Sequence, residues 1–135
     1  MKEKINKLVI IDDDPIHNFI AKRALDKFEI AKNIRIFNNP ADAIDFFEDT
    51  CLNNIKEHCP ELVLLDFEFP TMNAIEMLKK VKGMGLDLQS HFVIIIVSTI
   101  EIRNEAKQAL EELGVNAFLT KPITEETINS LMENH

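Results

Sequence analysis

The 135-residue chain lacks an excess of basic charge: 15 Lys and Arg stand against 23 Asp and Glu, a net charge of -8. Such a balance repels phosphate backbones, so direct nucleic-acid binding is not expected. No apolar run reaches the roughly eighteen residues that a membrane span requires, so membrane insertion is not expected either. The opening stretch, MKEKINKLVIIDDD, passes from a short apolar run straight into acids. It does not read as a signal peptide, and a cytoplasmic location is the default expectation. Cysteine is scarce. Cys51 and Cys59 form no CxxC, and no histidine near them has zinc spacing, so both are expected to be reduced thiols. His17, His58, His91 and His135 likewise show no metal spacing, and His17 is expected on a helix surface. There is no low-complexity tract, internal repeat or Pro/Gly/Ser linker.

What is present is an ordinary globular balance, 46% hydrophobic and 28% charged, at a length suited to one domain. Short apolar runs recur at Leu8–Ile11, Ile34–Phe37, Leu62–Leu65, Phe92–Val97 and Val115–Leu119. The first, third and fourth are apolar throughout, as strands covered on both faces are. Helical spacing fills the intervals. Ile16, Phe19, Ile20, Ala24 and Phe28 form one stripe; Ala43, Ile44 and Phe47 a second; Ile75, Leu78 and Val81 a third. Ile102, Ala106, Ala109, Leu110 and Leu113 form a fourth, and Ile128, Leu131 and Met132 a fifth. Asn39-Pro40 reads as an N-cap with proline at the first helical position, Gly114 as a left-handed C-cap, and Thr124 as the last N-cap. Met72 and Met77 are expected as core filler, and the charges from Glu101 to Glu112 as a solvated helix face.

Five strands alternating with five helices predict an α/β fold. Right-handed crossovers then require a parallel sheet with helices on both faces. In such sheets ligands bind beyond the carboxyl ends of the strands. Those ends carry Asp12-Asp13-Asp14-Pro15, Asp66, Ser98-Thr99 and Thr120-Lys121-Pro122. Clustered carboxylates repel one another and call for a cation. Asp12, Asp13 and Asp66 are hard oxygen donors, too few to enclose Ca²⁺ and suited to Mg²⁺. With such a cation a carboxylate can act as nucleophile toward a phosphoryl group, while Lys121 offsets charge on the phosphoryl oxygens.

The stretches Val9–Pro15, Leu62 to Pro70 with Thr71-Met72-Asn73, and Phe118–Pro122 stand in the order and spacing of a known family. The chain resembles the receiver domains of two-component response regulators, especially the single-domain kind typified by the chemotaxis regulator. The resemblance spans about Lys7 to Leu131, within a single domain over 1–135. It implies a doubly wound, flavodoxin-like (βα)5 fold with strand order 2-1-3-4-5. It makes Asp66 the phosphoacceptor and Asp12 and Asp13 the acidic pair for Mg²⁺, with Asp13 preferred as direct ligand. Glu68 would offer its backbone carbonyl to the metal. Lys121 would contact the phosphoryl group, and the Lys121-Pro122 bond would be cis. The switch hydroxyl falls on Ser98 if the apolar run sets it, or on Thr99 if counted back from Lys121; Ser98 is favoured. Phe118 occupies the aromatic switch position without a phenolic hydroxyl.

Two positions depart from the family pattern. Ala74 stands where glycine is usual, in a loop that would close over the site. Glu68 brings a second acid near the acceptor. The function implied is a stand-alone receiver that takes a phosphoryl group from a sensor histidine kinase or a histidine phosphotransfer protein. Its output, with no residues left over for a further domain, would be protein contact or phosphorelay to an unknown downstream protein. It would not be an enzyme in its own right. Two alternatives carry different consequences. One is a receiver-like interaction module that is never phosphorylated. The other is a small haloacid-dehalogenase-type phosphatase, since Asp12–Asp14 and Asp66–Glu68 both give its two-residue acid spacing. A flavodoxin-type cofactor site fits poorly, because the loop after the first strand is acidic rather than glycine-rich.

Overall fold

A computed structural model describes residues 5–52, 59–87 and 92–134, with backbone alone for 131–134. His58, His91 and His135 lie outside the described residues. The strands are β1 (Ile5–Ile11), β2 (Ala31–Phe37), β3 (Leu62–Asp66), β4 (Val93–Ser98) and β5 (Ala117–Thr120). The α-helices are α1 (Pro15–Lys27), α2 (Pro40–Phe47), α3 (Ala74–Gly83), α4 (Asn104–Glu112) and α5 (Glu125–Asn134). A π-helical turn, Glu48–Leu52, extends α2. The strands form one parallel sheet in the order β2-β1-β3-β4-β5, as expected.

Alternation along the strands divides the core into two layers. Val9, Ile11, Val63, Leu65, Ile94 and Ile96 pack with Phe47 of α2, Met77 and Val81 of α3 and Leu110 of α4. Leu8, Ile10, Leu62, Leu64, Ile95 and Val97 pack with Ala21 and Leu25 of α1 and Ile128 of α5. Both faces are dry, which is why these runs contain no polar residue; each fully buried aliphatic side chain contributes about 1.5–3 kcal/mol.

Strand limits differ modestly from the apolar runs. β1 and β2 begin three residues earlier, because Ile5 pairs with Ala31 and Lys7 with Asn33. Apolarity reports burial, whereas ladder pairing continues into polar residues. β5 begins later. The Val115 N–H bonds back to Leu110, and Gly114 N–H to Glu111, closing α4 with Gly114 at φ 110°. Asn116 then pairs with Ile94 twice, through its own N–H and through its side-chain oxygen.

The caps follow the sequence. Asn39 accepts the Asp42 N–H with Pro40 at the start of α2. Thr124 and Thr127 cap α5 reciprocally. Asn73 and Glu76 form a capping box at α3. Ala74 is the first residue of α3 and fully buried. Among the described non-glycine residues only Glu29 has positive φ, so position 74 makes no demand for glycine. Met77 is fully buried and Met72 packs against the same core.

Two expectations are overturned. The cysteines are not free: Cys51 and Cys59 form a disulfide with Cα atoms 5.0 Å apart. The π-helical turn carries Cys51 into the core, and the return of the chain toward β3 brings Cys59 beside it. An eight-residue spacing conveys none of that proximity. The second correction concerns α1. Its buried face is His17, Asn18, Ala21 and Leu25, while Ile16, Phe19 and Ile20 are 71%, 65% and 40% exposed. The helix is turned about one residue from its apolar stripe, because polar side chains occupy the inward positions.

Candidate functional site

The site lies where the carboxyl ends of β1, β3, β4 and β5 meet. Asp12 follows β1, its N–H bonded to the Phe37 carbonyl at 3.0 Å. Asp14 starts α1 by accepting the N–H groups of Ile16 and His17, with Pro15 next in line. Asp13, between them, is held at the exposed rim. Asp66 ends β3 opposite Val97. Ser98 ends β4 opposite Thr120, and the Ser98 carbonyl accepts the Lys121 N–H at 2.8 Å. The Lys121-Pro122 bond is cis.

Lys121 ties the acids together. Its Nζ lies 2.8 Å from Asp12 Oδ2 and 3.5 Å from Asp66 Oδ1, all three side chains being mostly buried. Asp12 accepts two more bonds, from His17 Nδ1 at 2.7 Å on Oδ2 and from the Asp14 N–H at 2.9 Å on Oδ1. Asn18 Nδ2 donates to the Asp12 carbonyl at 2.8 Å.

These contacts set the charge states. Burial pushes the Asp12 carboxyl up, but the bonds from His17, Lys121 and the Asp14 N–H outweigh it and hold the group below its ordinary range. Asp66 is the opposite case. Burial, with the Asp12 charge next, raises it to about 6 against the weaker pull of Lys121. Burial pulls Lys121 down, but Asp12 and Asp66 together hold its ammonium above the ordinary value. The local balance, three carboxylates and one ammonium, leaves two negative charges.

That balance fits a divalent cation. Asp12, Asp13 and Asp66 each present a carboxylate oxygen within 4.8 Å of the others. Neighbouring oxygens around Mg²⁺ lie about 3 Å apart, so the trio would draw closer together around a bound ion. Glu68 turns its side chain to solvent. Its bridge to Asn73 is made by the flanking bonds Ala74 N–H to Phe67 and Phe69 N–H to Met72. The Glu68 carbonyl is therefore not consumed by that bridge.

The remaining expected residues divide. Ser98 is buried, and its hydroxyl oxygen accepts the Ile100 N–H at 3.2 Å, whereas Thr99 is exposed. Phe118 is half-buried under Lys107 of α4, whose Nζ stands 5.5 Å from the ring centre. The rest of the α4 charges are exposed. His17 is not a surface residue as expected; it is 5% exposed and bound to Asp12. His17 and Asn18 are the site residues that the sequence reading missed. Their offset of five and six residues from Asp12, within the first turn of α1, is the only available signal. Ile16, Phe19 and Ile20 of α1, with Ile100 after β4, leave the rim of the site apolar and exposed.

Comparison with known proteins identifies the family. Residues 8–133 match the response regulator receiver domain. A protein-glutamate methylesterase/protein-glutamine glutaminase of Clostridium acetobutylicum is 32% identical over 122 residues, 89% of this chain and 31% of that protein. A two-component response regulator of Arabidopsis thaliana is 27% identical over 138 residues, covering 99% of this chain and 86% of that protein. The chain spans less than a third of the length of the first curated relatives it matches. Among solved structures, a two-component response regulator from Cytophaga hutchinsonii superposes with a TM-score of 0.83 at 20% identity, over 98% of this chain and 97% of that one. A chemotaxis protein of Vibrio cholerae gives 0.71 at 18% identity, over 96% and 98%. Fold, family match and site geometry converge: this chain belongs to the response regulator receiver domains of two-component signalling.

Proposed function

We propose that the chain is a receiver that accepts a phosphoryl group on Asp66 from a phosphohistidine. The donor is a sensor histidine kinase or a histidine phosphotransfer protein, and the output is protein contact or onward relay. The observation that carries this reading is the Asp12–Lys121–Asp66 constellation, in which one buried ammonium faces a fixed acid and a nucleophilic acid.

With its carboxyl at about 6, Asp66 is ionised in about nine of ten molecules at pH 7. An Asp66 oxygen attacks phosphorus, the P–O bond forms as the P–N bond of phosphohistidine breaks, and the electron pair leaves on the imidazole. Asp12, Asp13 and Asp66, with the Glu68 carbonyl available, would hold Mg²⁺, which would supply positive charge to the phosphoryl oxygens. Lys121 needs only a small movement from Asp66 Oδ1 to meet one of those oxygens. Ser98 is the switch hydroxyl of this reading, being buried at the end of β4, while Thr99 faces solvent. Its oxygen accepts the Ile100 N–H, so a movement of Ser98 toward a phosphoryl oxygen would draw the loop that leads to α4 with it. Phe118, packed under Lys107, then repacks between α4 and β5. The exposed apolar rim of Ile16, Phe19, Ile20 and Ile100 supports a protein donor over a small metabolite.

Intact mass measurement after incubation with Mg²⁺ and a small acyl phosphate tests the reading. Wild type gains one phosphoryl mass and Asp66→Asn gains none. Equal labelling of both moves the acceptor elsewhere, and steady release of inorganic phosphate from a generic phosphomonoester favours the phosphatase alternative.

A further inference from the structure

Four acceptor positions exist on an ionised carboxylate, and three of those on Asp12 are filled. Lys121 Nζ and His17 Nδ1 share Oδ2, at 2.8 and 2.7 Å, and the Asp14 N–H takes one position of Oδ1. One position on Oδ1 remains for a cation. Among these donors, Lys121 sits at the tip of a long side chain and has a second acid to visit. His17 is different. It is 5% exposed, rises from the first turn of a capped helix, and its ring has two torsions to fix. The other ring nitrogen, Nε2, is buried with no hydrogen-bond partner among the described residues. A buried ring nitrogen without a partner costs stability, so packing alone favours an apolar residue here. The arrangement makes sense if the Nδ1 bond serves something other than stability.

We propose that His17 is a positioning residue for the metal site: its Nδ1–H pins Asp12 Oδ2 so that Oδ1 stays presented to the divalent cation. The inference rests on the Mg²⁺-dependent receiver reading above. Ligand-orienting partners of this kind typically alter metal affinity by about 10- to 100-fold when removed. Without His17, Asp12 Oδ2 is held by Lys121 alone, and the carboxylate follows the ammonium whenever it moves to Asp66 or to a phosphoryl oxygen.

Stereochemistry supplies a discriminating pair of variants. An asparagine amide nitrogen can occupy the place of Nδ1, and a glutamine amide nitrogen the place of Nε2. His17→Asn retains the donor that the proposal requires, whereas His17→Gln retains volume and polarity but moves the donor away. His17→Leu removes both nitrogens.

The experiment is calorimetric titration of Mg²⁺ into wild type and the three variants, with Mn²⁺ binding by paramagnetic resonance as a second measure and metal-free thermal melts alongside. The expected result is a dissociation constant within about threefold of wild type for His17→Asn. His17→Gln and His17→Leu bind about tenfold more weakly or worse. The metal-free melts show that each variant compared is folded at the temperature of the titration. Acyl phosphate labelling of the Gln variant needs correspondingly more Mg²⁺ for half its maximal rate. Wild-type affinity in His17→Gln and His17→Leu overturns the proposal, as does equal weakening of the Asn and Gln variants. If His17→Leu does not fold, the Asn and Gln pair decides. If wild type itself binds neither cation, the metal reading falls and this inference falls with it; if wild type binds and every variant binds equally, this inference alone falls.

Discussion

Replacing Asp66 with Asn removes the proposed acceptor, and it is also expected to stabilise the metal-free protein. Burial and the neighbouring Asp12 charge raise the Asp66 carboxyl from 3.8 to about 6. The native state therefore holds this proton to a higher pH than the unfolded chain does. Between about pH 4 and pH 6 the unfolded chain releases the proton first, so native stability declines as pH rises through that window. Above about pH 7 the decline is complete and amounts to about 3 kcal/mol. Asparagine has nearly the same shape and no charge, so it escapes this cost. Asp66 is 9% exposed, so solvent screening takes little from the figure. The expected outcome is a gain of up to about 3 kcal/mol at pH 8 in chelated buffer, roughly 10 °C in melting temperature for a chain of this size. The gain shrinks toward zero at pH 4, where wild-type Asp66 is protonated. Adding Mg²⁺ at pH 8 stabilises wild type more than the variant, because only wild type presents three carboxylates to the cation. Thermal and urea melts of both proteins from pH 4 to pH 8 check this. An Asn variant no more stable at pH 8, or a gain that persists unchanged at pH 4, refutes the electrostatic account of the site.

Three further outcomes are expected. Lys121→Met leaves Asp12 and Asp66 without their shared cation, and costs about 3 kcal/mol at pH 8 as the removal of one partner from a buried pair does; melts should show much of it returned by saturating Mg²⁺. Phe19→Ser and Ile16→Ser lie outside the acid cluster, so labelling by acyl phosphate stays at wild-type rate while transfer from a phosphorylated histidine protein slows by tenfold or more, as paired labelling assays would reveal. Cys51→Ala with Cys59→Ala opens a short loop and loses about 2–3 kcal/mol by the chain-entropy relation, a difference that urea melts show in non-reducing buffer and that a thiol reductant abolishes.

The sheet was legible because burial on both faces leaves an unambiguous mark. Leu62–Leu65 has no polar residue to interrupt it, and the charge at Asp66 marks where the covered strand stops and the site begins. The caps were legible for a similar reason: Asn39-Pro40 and Gly114 have a single economical use each. Acids, lysine and serine at strand ends were found because topology alone gathers them. The disulfide was not legible, since pairing depends on how a π-helical turn and the approach to β3 bring two Cα atoms to 5.0 Å. Ala74 looked like a possible defect only while its backbone angles were unknown; as the first residue of α3 it is at ease.

The misreading of α1 has a different origin. Periodicity assumes that the buried stripe is the apolar one. On α1 the inward positions nearest the site belong to His17 and Asn18, which bind the side chain and the carbonyl of Asp12. Ala21 and Leu25 continue that face into the core. Since i and i+4 share a face, fixing His17 inward fixes Ala21 and Leu25 inward and leaves Ile16 and Ile20 outward. Satisfying one buried carboxylate thus rotates an entire helix, and the rotation lays an apolar strip beside the acids. The two features are mechanically one. A rotation that returns Ile16 and Ile20 to the core must withdraw His17 from Asp12, so no rotation of this helix moves the apolar strip without disturbing the acid site.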